Sequence, residues 1–277
     1  MQERLKRAVM AIKGVKIPEL PEEILELDRE INSKFANVAN VADIIEKNIT
    51  LSGEILKLVN SPIMKLRIPC STIREAVDTL GLDKIYHLVV SVALQNLFGQ
   101  KGLVKDVMDH SVDVAFCMAD ISEWVDDVTR DEAFMFGLFH NSGSLMLASK
   151  DEAAYAPVFS NSMSNPVSIL ALEEKMFASN HAMIGVLMAK KWRLPIDMIQ
   201  ATMLHHTPEC SRIKNDKVRA LVAMVKVANA IIAEISLGAY RGQEMKDYEE
   251  DGLKELMIPY EAVTEIRTAV MSYAFKS

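Results

Sequence analysis

Five of the six histidines carry whatever chemistry this sequence offers. His110, His140, His181, His205 and His206 all lie beyond residue 103, while His87 stands apart and is assigned no role. Imidazole is a common ligand for zinc, iron and nickel, and helices packed in a bundle can aim such side chains at one centre. A lone histidine on an apolar helix face is usually a satisfied core residue; five spread over four helices of one lobe make convergence a reading to weigh. The doublet has a local alternative. Thr207 precedes Pro208 and is biased away from helix, so His205 and His206 occupy a final helical turn, where positive charge is favoured by the helix dipole. Other frameworks are missing: there is no GxxxxGK[ST] phosphate loop, no GxGxxG fingerprint and no GxSxG elbow.

The elements that must position these histidines read as helices. The 277 residues are 50% hydrophobic and 25% charged, enough for one large domain or two small lobes and too apolar for general disorder. With only 11 Gly and 9 Pro, turns are few and the elements between them long. Ile24, Leu27, Ile31, Phe35, Val38, Ala42 and Ile45 recur every three or four residues, the helical period. A short helix over 37–48 is expected to be capped by Asn40 or Asp43, the next by Thr50 or Ser52, and one through Ile73–Leu80 by Ser71 or Thr72, with Gly81 ending it. Gly99–Gly102 marks a boundary. Helices are expected over 131–139, 169–177, 182–192, 195–206, 217–237 and 260–275, with residues 157–168 a polar loop and 244–256 an acidic, exposed stretch. No alternating strand pattern of useful length occurs. The fold class is therefore all-α and two-lobed: residues 1–103 form an N-terminal helical lobe, and 104–277 a helical bundle that includes the C-terminal helices.

Charge and cysteine usage narrow the function class. The net charge is -7 and no five Lys/Arg stand together, which excludes the basic stripe of a nucleic-acid binder. Arg4, Lys6, Arg7, Lys13 and Lys16 read as a solvated helix face. Cys70, Cys117 and Cys210 are far apart, with no CxxC pair, so neither a disulfide framework nor a zinc ribbon is indicated. Buried thiols in a reducing cytoplasm are expected. Neither a signal peptide nor an apolar run of ~18 residues is present, so the expected location is cytoplasmic, with no membrane and no nucleic acid among the partners. The 17 methionines are assigned to helix–helix seams.

Several segments together resemble a known family. DEAFMFGLFHNSG at 131–143 is similar to the EAFxxGLLHDIG helix of HD-domain proteins. HSVDVA at 110–115 is similar to the helix that supplies their first histidine, and NHAMIG at 180–185, WRLP at 192–195 and HHTPE at 205–209 follow in the same order. Upstream, LSGEILKLVNS at 51–61 resembles the LSAKLLRLANS segment of HDOD, the HD-related output domain. IREAVDTLGL at 73–82 matches its SIxxAIxxLG helix, and IPELP at 17–21 fits its opening. The likeness covers roughly residues 15–215.

That resemblance implies an HD-like C-terminal lobe and a metal site with a defect. In catalytic HD phosphohydrolases a His-Asp doublet, another His and a later Asp bind divalent metal. The carboxylate can bridge two cations and orient the attacking water. Here the doublet is His140-Asn141, and the later position falls at Asn229; asparagine is neutral and a much weaker ligand. The implied site is His110, His140, Asn141, His181, His205, His206 and Asn229, vestigial or weak. The sequence reading prefers a hydrogen-bonded polar cluster with no cofactor; a single divalent ion (Fe, Ni, Zn or Mn) at the histidines is the alternative. The expected function is a non-catalytic bacterial signal-transduction module of HDOD type, working through a signalling protein partner or a small regulatory ligand. No fused sensor is evident, so input is expected from a partner or a small ligand. The competing expectation is a metal-dependent phosphohydrolase or cyclic-dinucleotide phosphodiesterase, opposed by the two asparagines and by Thr207-Pro208-Glu209-Cys210 standing where a GYP-type extension would follow. A third is a pseudoenzyme that senses a nucleotide without cleaving it.

Overall fold

The structure is a computed structural model that describes residues 1–60, 64, 66–98, 101–237 and 241–274. Ser61, Gly99 and Phe275, named above, lie outside the described residues. The described chain is built of helices, with no strand among those residues. It divides into two compact units, Pro18–Gly99, and Met1–Ile17 with Gln100–Ser277.

The smaller unit holds α2 (Glu22–Ile31), α3 (Val38–Glu46), α4 (Ile49–Val59), α5 (Ile73–Leu80) and α6 (Leu82–Phe98). Its core follows the apolar period in part: Ile24, Leu27, Ala42, Ile45 and Ile73 are buried, with Val41, Ile55, Val77 and Ile85, whereas Phe35 is exposed because residues 32–37 lie between α2 and α3. Two expected caps are displaced upstream. Asn37 rather than Asn40 or Asp43 caps α3, accepting from Asn40 N at 2.9 Å, and Asn48 rather than Thr50 or Ser52 caps α4, accepting from Leu51 N at 3.1 Å. In both the asparagine has extended backbone, as a side chain reaching the third amide requires. Thr72 caps α5 and Gly81, with φ +83°, ends it.

The larger unit begins with α1 (Gln2–Ala11), which packs on α12 (His181–Lys191). The sequence reading placed residues 1–17 in the first lobe; they belong here, where Ala8, Ala11 and Ile12 are buried. The remaining helices are α7 (Gly102–Ile121), α8 (Arg130–Phe139), α9 (Ser142–Lys150), α10 (Glu152–Ser162), α11 (Ile169–Phe177), α13 (Ile196–Leu204), α14 (Asp216–Leu237), α15 (Gln243–Leu256) and α16 (Tyr260–Ala274). At the centre, α14 is buried from Leu221 to Ala233, and it packs on α7, α13 and α15. Apart from Lys226 and Asn229 that stretch is apolar on every face, as a helix in such a core is.

Two expectations fail in this unit. Residues 157–162 are not loop: α10 runs through Pro157 to Ser162. Asp151 caps it, and burial of Tyr155, Val158 and Phe159, each contributing ~1.5–3 kcal/mol, outweighs the hydrogen bond that proline removes. Residues 244–256 are not an exposed acidic stretch either. They form α15, whose Met245, Tyr248, Glu249 and Gly252 are buried against α14. All three cysteines are free and buried. Among the described residues, no helix is long and apolar enough to cross a membrane.

Candidate metal centre

Helix ends assemble the site. His140 is the C-cap of α8, Asn141 the N-cap of α9, His181 the first residue of α12, and His205 the C-cap of α13. Only His110 and Asn229 lie inside long helices, α7 and α14. All seven residues implied by the sequence are buried in one unit. Backbone contact makes this geometry: a Cβ on Gly143 would lie 1.9 Å from the His181 carbonyl oxygen, and one on Gly137 2.5 Å from Ala115 Cα. Glycine therefore lets α9 cross α12, and α8 cross α7, close enough to bring Asn141 beside His181 and His140 beside His110.

The seven do not act as one cluster. His110 Nε2 donates to Asn229 Oδ1 at 2.9 Å, so the neutral amide is joined to the histidine it would have shared a metal with. His140 packs between the rings of His110 and His205, at 5.9 and 5.5 Å. Its Nδ1 donates to the Gly137 carbonyl, and its buried Nε2 makes no hydrogen bond. Asn141 makes no capping bond and lines the same cavity as Asn229.

His181, His205 and His206 form the other half, with one ring nitrogen of each within 4.8 Å of the others. His181 Nε2 is 3.1 Å from His205 Nε2 and 2.8 Å from His206 Nε2. Their outer nitrogens decide what fills that space. His181 Nδ1 faces the buried Glu173 carboxylate at 2.7 Å and must carry a proton. His205 Nδ1 faces the Thr202 carbonyl at 2.7 Å and must carry one too. Both Nε2 atoms then present lone pairs to each other. A proton from His206 Nε2 could serve His181 but would leave the 181–205 contact unfilled. A second proton on His181, balanced by Glu173, points in one direction only. One cation would accept the lone pairs that His181 and His205 present to each other, and the 3.1 and 2.8 Å separations from His181 Nε2 suit ligands sharing an ion at bond lengths of ~2.0–2.1 Å.

Electrostatics keep His205 and His206 neutral. Burial drives His205 and His206 well below the usual imidazole range, reinforced by the neighbouring histidines. Burial likewise takes His110 down to about 4 and His140 to about 3. His181 and His206 border a cavity of about 20 Å3 lined also by His110, Asn141, Ser144, Tyr155 and Asn229, room for one water-sized group. A single ion with one small extra ligand fits these donors. A carboxylate-bridged pair of ions does not, because the bridging position, Asn141, and the later ligand position, Asn229, are both amides.

Supporting residues escaped the sequence reading. Glu173 on α11 is fully buried and accepts from His181 Nδ1, from His181 N at 2.8 Å and from Tyr155 Oη at 2.7 Å. Tyr155 Oη also bonds Ser144 Oγ at 2.9 Å. Such a carboxylate fixes the ring orientation and raises the basicity of a ligating histidine. The available signal was a charge four residues after Ile169, on that helix's buried face.

A helical bundle with histidines gathered at its helix ends, and an amide in place of the doublet's aspartate, defines a domain of HD type. The chain belongs to the HDOD domain family, whose pattern matches residues 17–208. It is 25% identical over 222 residues to an uncharacterized protein of Treponema pallidum (strain Nichols), covering 78% of this chain and 42% of that protein. It is 27% identical over 122 residues to the cyclic di-GMP phosphodiesterase CdgJ of Vibrio cholerae, covering 43% of this chain and 28% of that protein. The chain thus spans less than half the length of these curated relatives. An HDOD domain protein of unknown function from Geobacter sulfurreducens shares the fold, with a TM-score of 0.70 at 24% identity over 97% of each chain. A candidate phosphohydrolase from Shewanella amazonensis does so with a TM-score of 0.68 at 20% identity over 95% and 98% of the chains.

Proposed function

We propose that this chain is a regulatory HDOD module that acts by binding, built around one divalent ion held by His181, His205 and His206. The observation that carries the reading is the union of His110 with Asn229, which occupies the inner nitrogen of one histidine with an amide. Hydrolysis by paired ions requires two metals ~3.5–4 Å apart acting on attacking and leaving oxygens. Asn141 and Asn229 supply no negative charge to hold that pair, and among the described residues the trio is the only convergent set of three such ligands. The ion then fixes the junction of α11, α12 and α13, while a signalling protein or small regulatory ligand reads the state of the module.

A second reading has one observation in its favour. The 122-residue likeness to a cyclic di-GMP phosphodiesterase fits a metal-dependent phosphohydrolase acting on cyclic dinucleotides. Metal content of the purified protein, followed by phosphodiesterase and phosphatase assays with added Mn and Ni, separates the two. The regulatory reading expects no more than one ion per chain and no turnover; turnover that disappears in His140→Ala overturns it.

A further inference from the structure

The His205–His206 doublet sits where α13 has already ended, in a turn whose backbone needs partners from elsewhere. Thr207 N closes on Leu204 O at 2.8 Å, and the carbonyls that follow the last helical turn have no partner within α13. They are met by side chains from beyond the family match. Tyr248 Oη on α15 donates to the His205 carbonyl. Lys226 Nζ on α14 donates to Pro208 O at 3.2 Å and to Asp251 Oδ2 at 2.6 Å. Asp251 Oδ2 in turn accepts from Cys210 N at 2.9 Å. The Tyr248 ring lies 6.2 Å from the His206 ring and nearly parallel to it, and the Lys226 ammonium stands 4.8 Å over the same tyrosine.

Lys226 is completely buried. Burying an ammonium is costly even when it is paired, and an apolar side chain of similar volume would often serve stability as well. The lysine's hydrogen bonds and its place over an aromatic face offset that cost only in part. What they secure is the position of three backbone atoms in one turn, at residues 205, 208 and 210. We infer that Tyr248, Lys226 and Asp251 form a clamp that holds His205 and His206 facing His181, making α14 and α15 positioning elements of the centre. The inference rests on the trio being a metal site, but the clamp also acts on the metal-free protein. Losing one member leaves the three ligands in place and lets the turn carrying two of them swing.

Cobalt(II) titration followed by visible absorption, combined with imidazole 15N NMR of the metal-free protein, tests this in wild type, Tyr248→Phe and Asp251→Asn. Tyr248→Phe removes one hydroxyl and keeps the ring, and circular dichroism confirms folding. The clamp predicts a ~10–100-fold loss of cobalt affinity, the range for groups that support ligands, with an altered ligand-field spectrum. It also predicts loss of the single Nδ1–H form of His205 in both variants. Wild-type affinity and spectrum in both variants would overturn the clamp and leave the metal reading intact. If wild type binds no cobalt, the metal reading fails, and the 15N spectra decide: an unchanged His205 tautomer in both variants overturns the clamp, and its loss sustains it.

Discussion

His110 and His181 are both buried histidines of the same bundle, yet one faces a neutral amide and the other a carboxylate. Asn229 accepts a hydrogen bond from the inner nitrogen of His110, so that ring turns an N–H toward the middle of the site. Glu173 accepts a hydrogen bond from the outer nitrogen of His181, so that ring turns a lone pair inward. The charge and placement of one partner therefore decide whether a histidine closes a polar contact or offers a ligand. In the amide half His110 and Asn229 satisfy one another, while His140 Nε2 stays without a hydrogen bond. The carboxylate half is the one whose ring nitrogens could share a cation.

The largest break in this contrast comes from truncating a ligand. His181→Ala is expected to abolish stoichiometric divalent binding, a loss exceeding the ~10–100-fold that a supporting group costs. His110→Ala should change affinity by no more than about threefold, given its separate partner. Calorimetric titration with zinc compares the two, and equal losses would show that the halves are one site.

Glu173→Gln comes next. Without the carboxylate, His181 loses its fixed tautomer and part of its basicity, and affinity should fall by ~10–100-fold. A thermal melt of the metal-free variant should also register the unpaired contacts at Tyr155 and His181, at ~1–3 kcal/mol. An unaltered affinity would remove Glu173 from the centre.

Charge can also be restored to the amide half. Asn141→Asp with Asn229→Asp should add a second bound manganese per chain, read by elemental analysis after equilibrium dialysis. If manganese binding does not change, the correspondence of Asn229 with the family's later aspartate is wrong.

A last effect is on stability against pH. Burial holds His110 at about 4 and His140 at about 3, whereas the unfolded chain protonates both near 6.5. Their contribution is fully present above pH 6.5 and is lost as pH falls toward 4, at ~1.4 kcal/mol per unit for each histidine. Urea unfolding of the metal-free protein from pH 7 to pH 4.5 should show the decline; a flat profile would mean that the rings are hydrated.

How far the sequence revealed this molecule depends on the kind of residue. Helices followed from apolar period and breaker residues, since Ile24, Leu27 and Ile73 bury where spacing puts them. The seven candidate residues were named from their types and from motifs in order along the chain, and all seven are buried in one unit. Which of them pair was not legible, because His110 and Asn229 are 119 residues apart and their hydrogen bond depends on how α7 packs on α14. The helix around Pro157 and the buried face of α15 were misread for one reason: Asn, Ser, Glu and Asp dominate those segments locally, and tertiary burial of Tyr155 and Tyr248 outweighs them. Met245, Tyr248 and Gly252, spaced three and four residues apart, were the available clue to α15.

The account turns on a single ion held by three imidazoles, and X-ray absorption spectroscopy of protein loaded with cobalt or nickel tests that most directly. The predicted spectrum has a shell of three imidazole nitrogens around one metal, with no metal–metal scattering. A metal–metal distance of ~3.5–4 Å, the spacing of a two-ion hydrolytic centre, would contradict it.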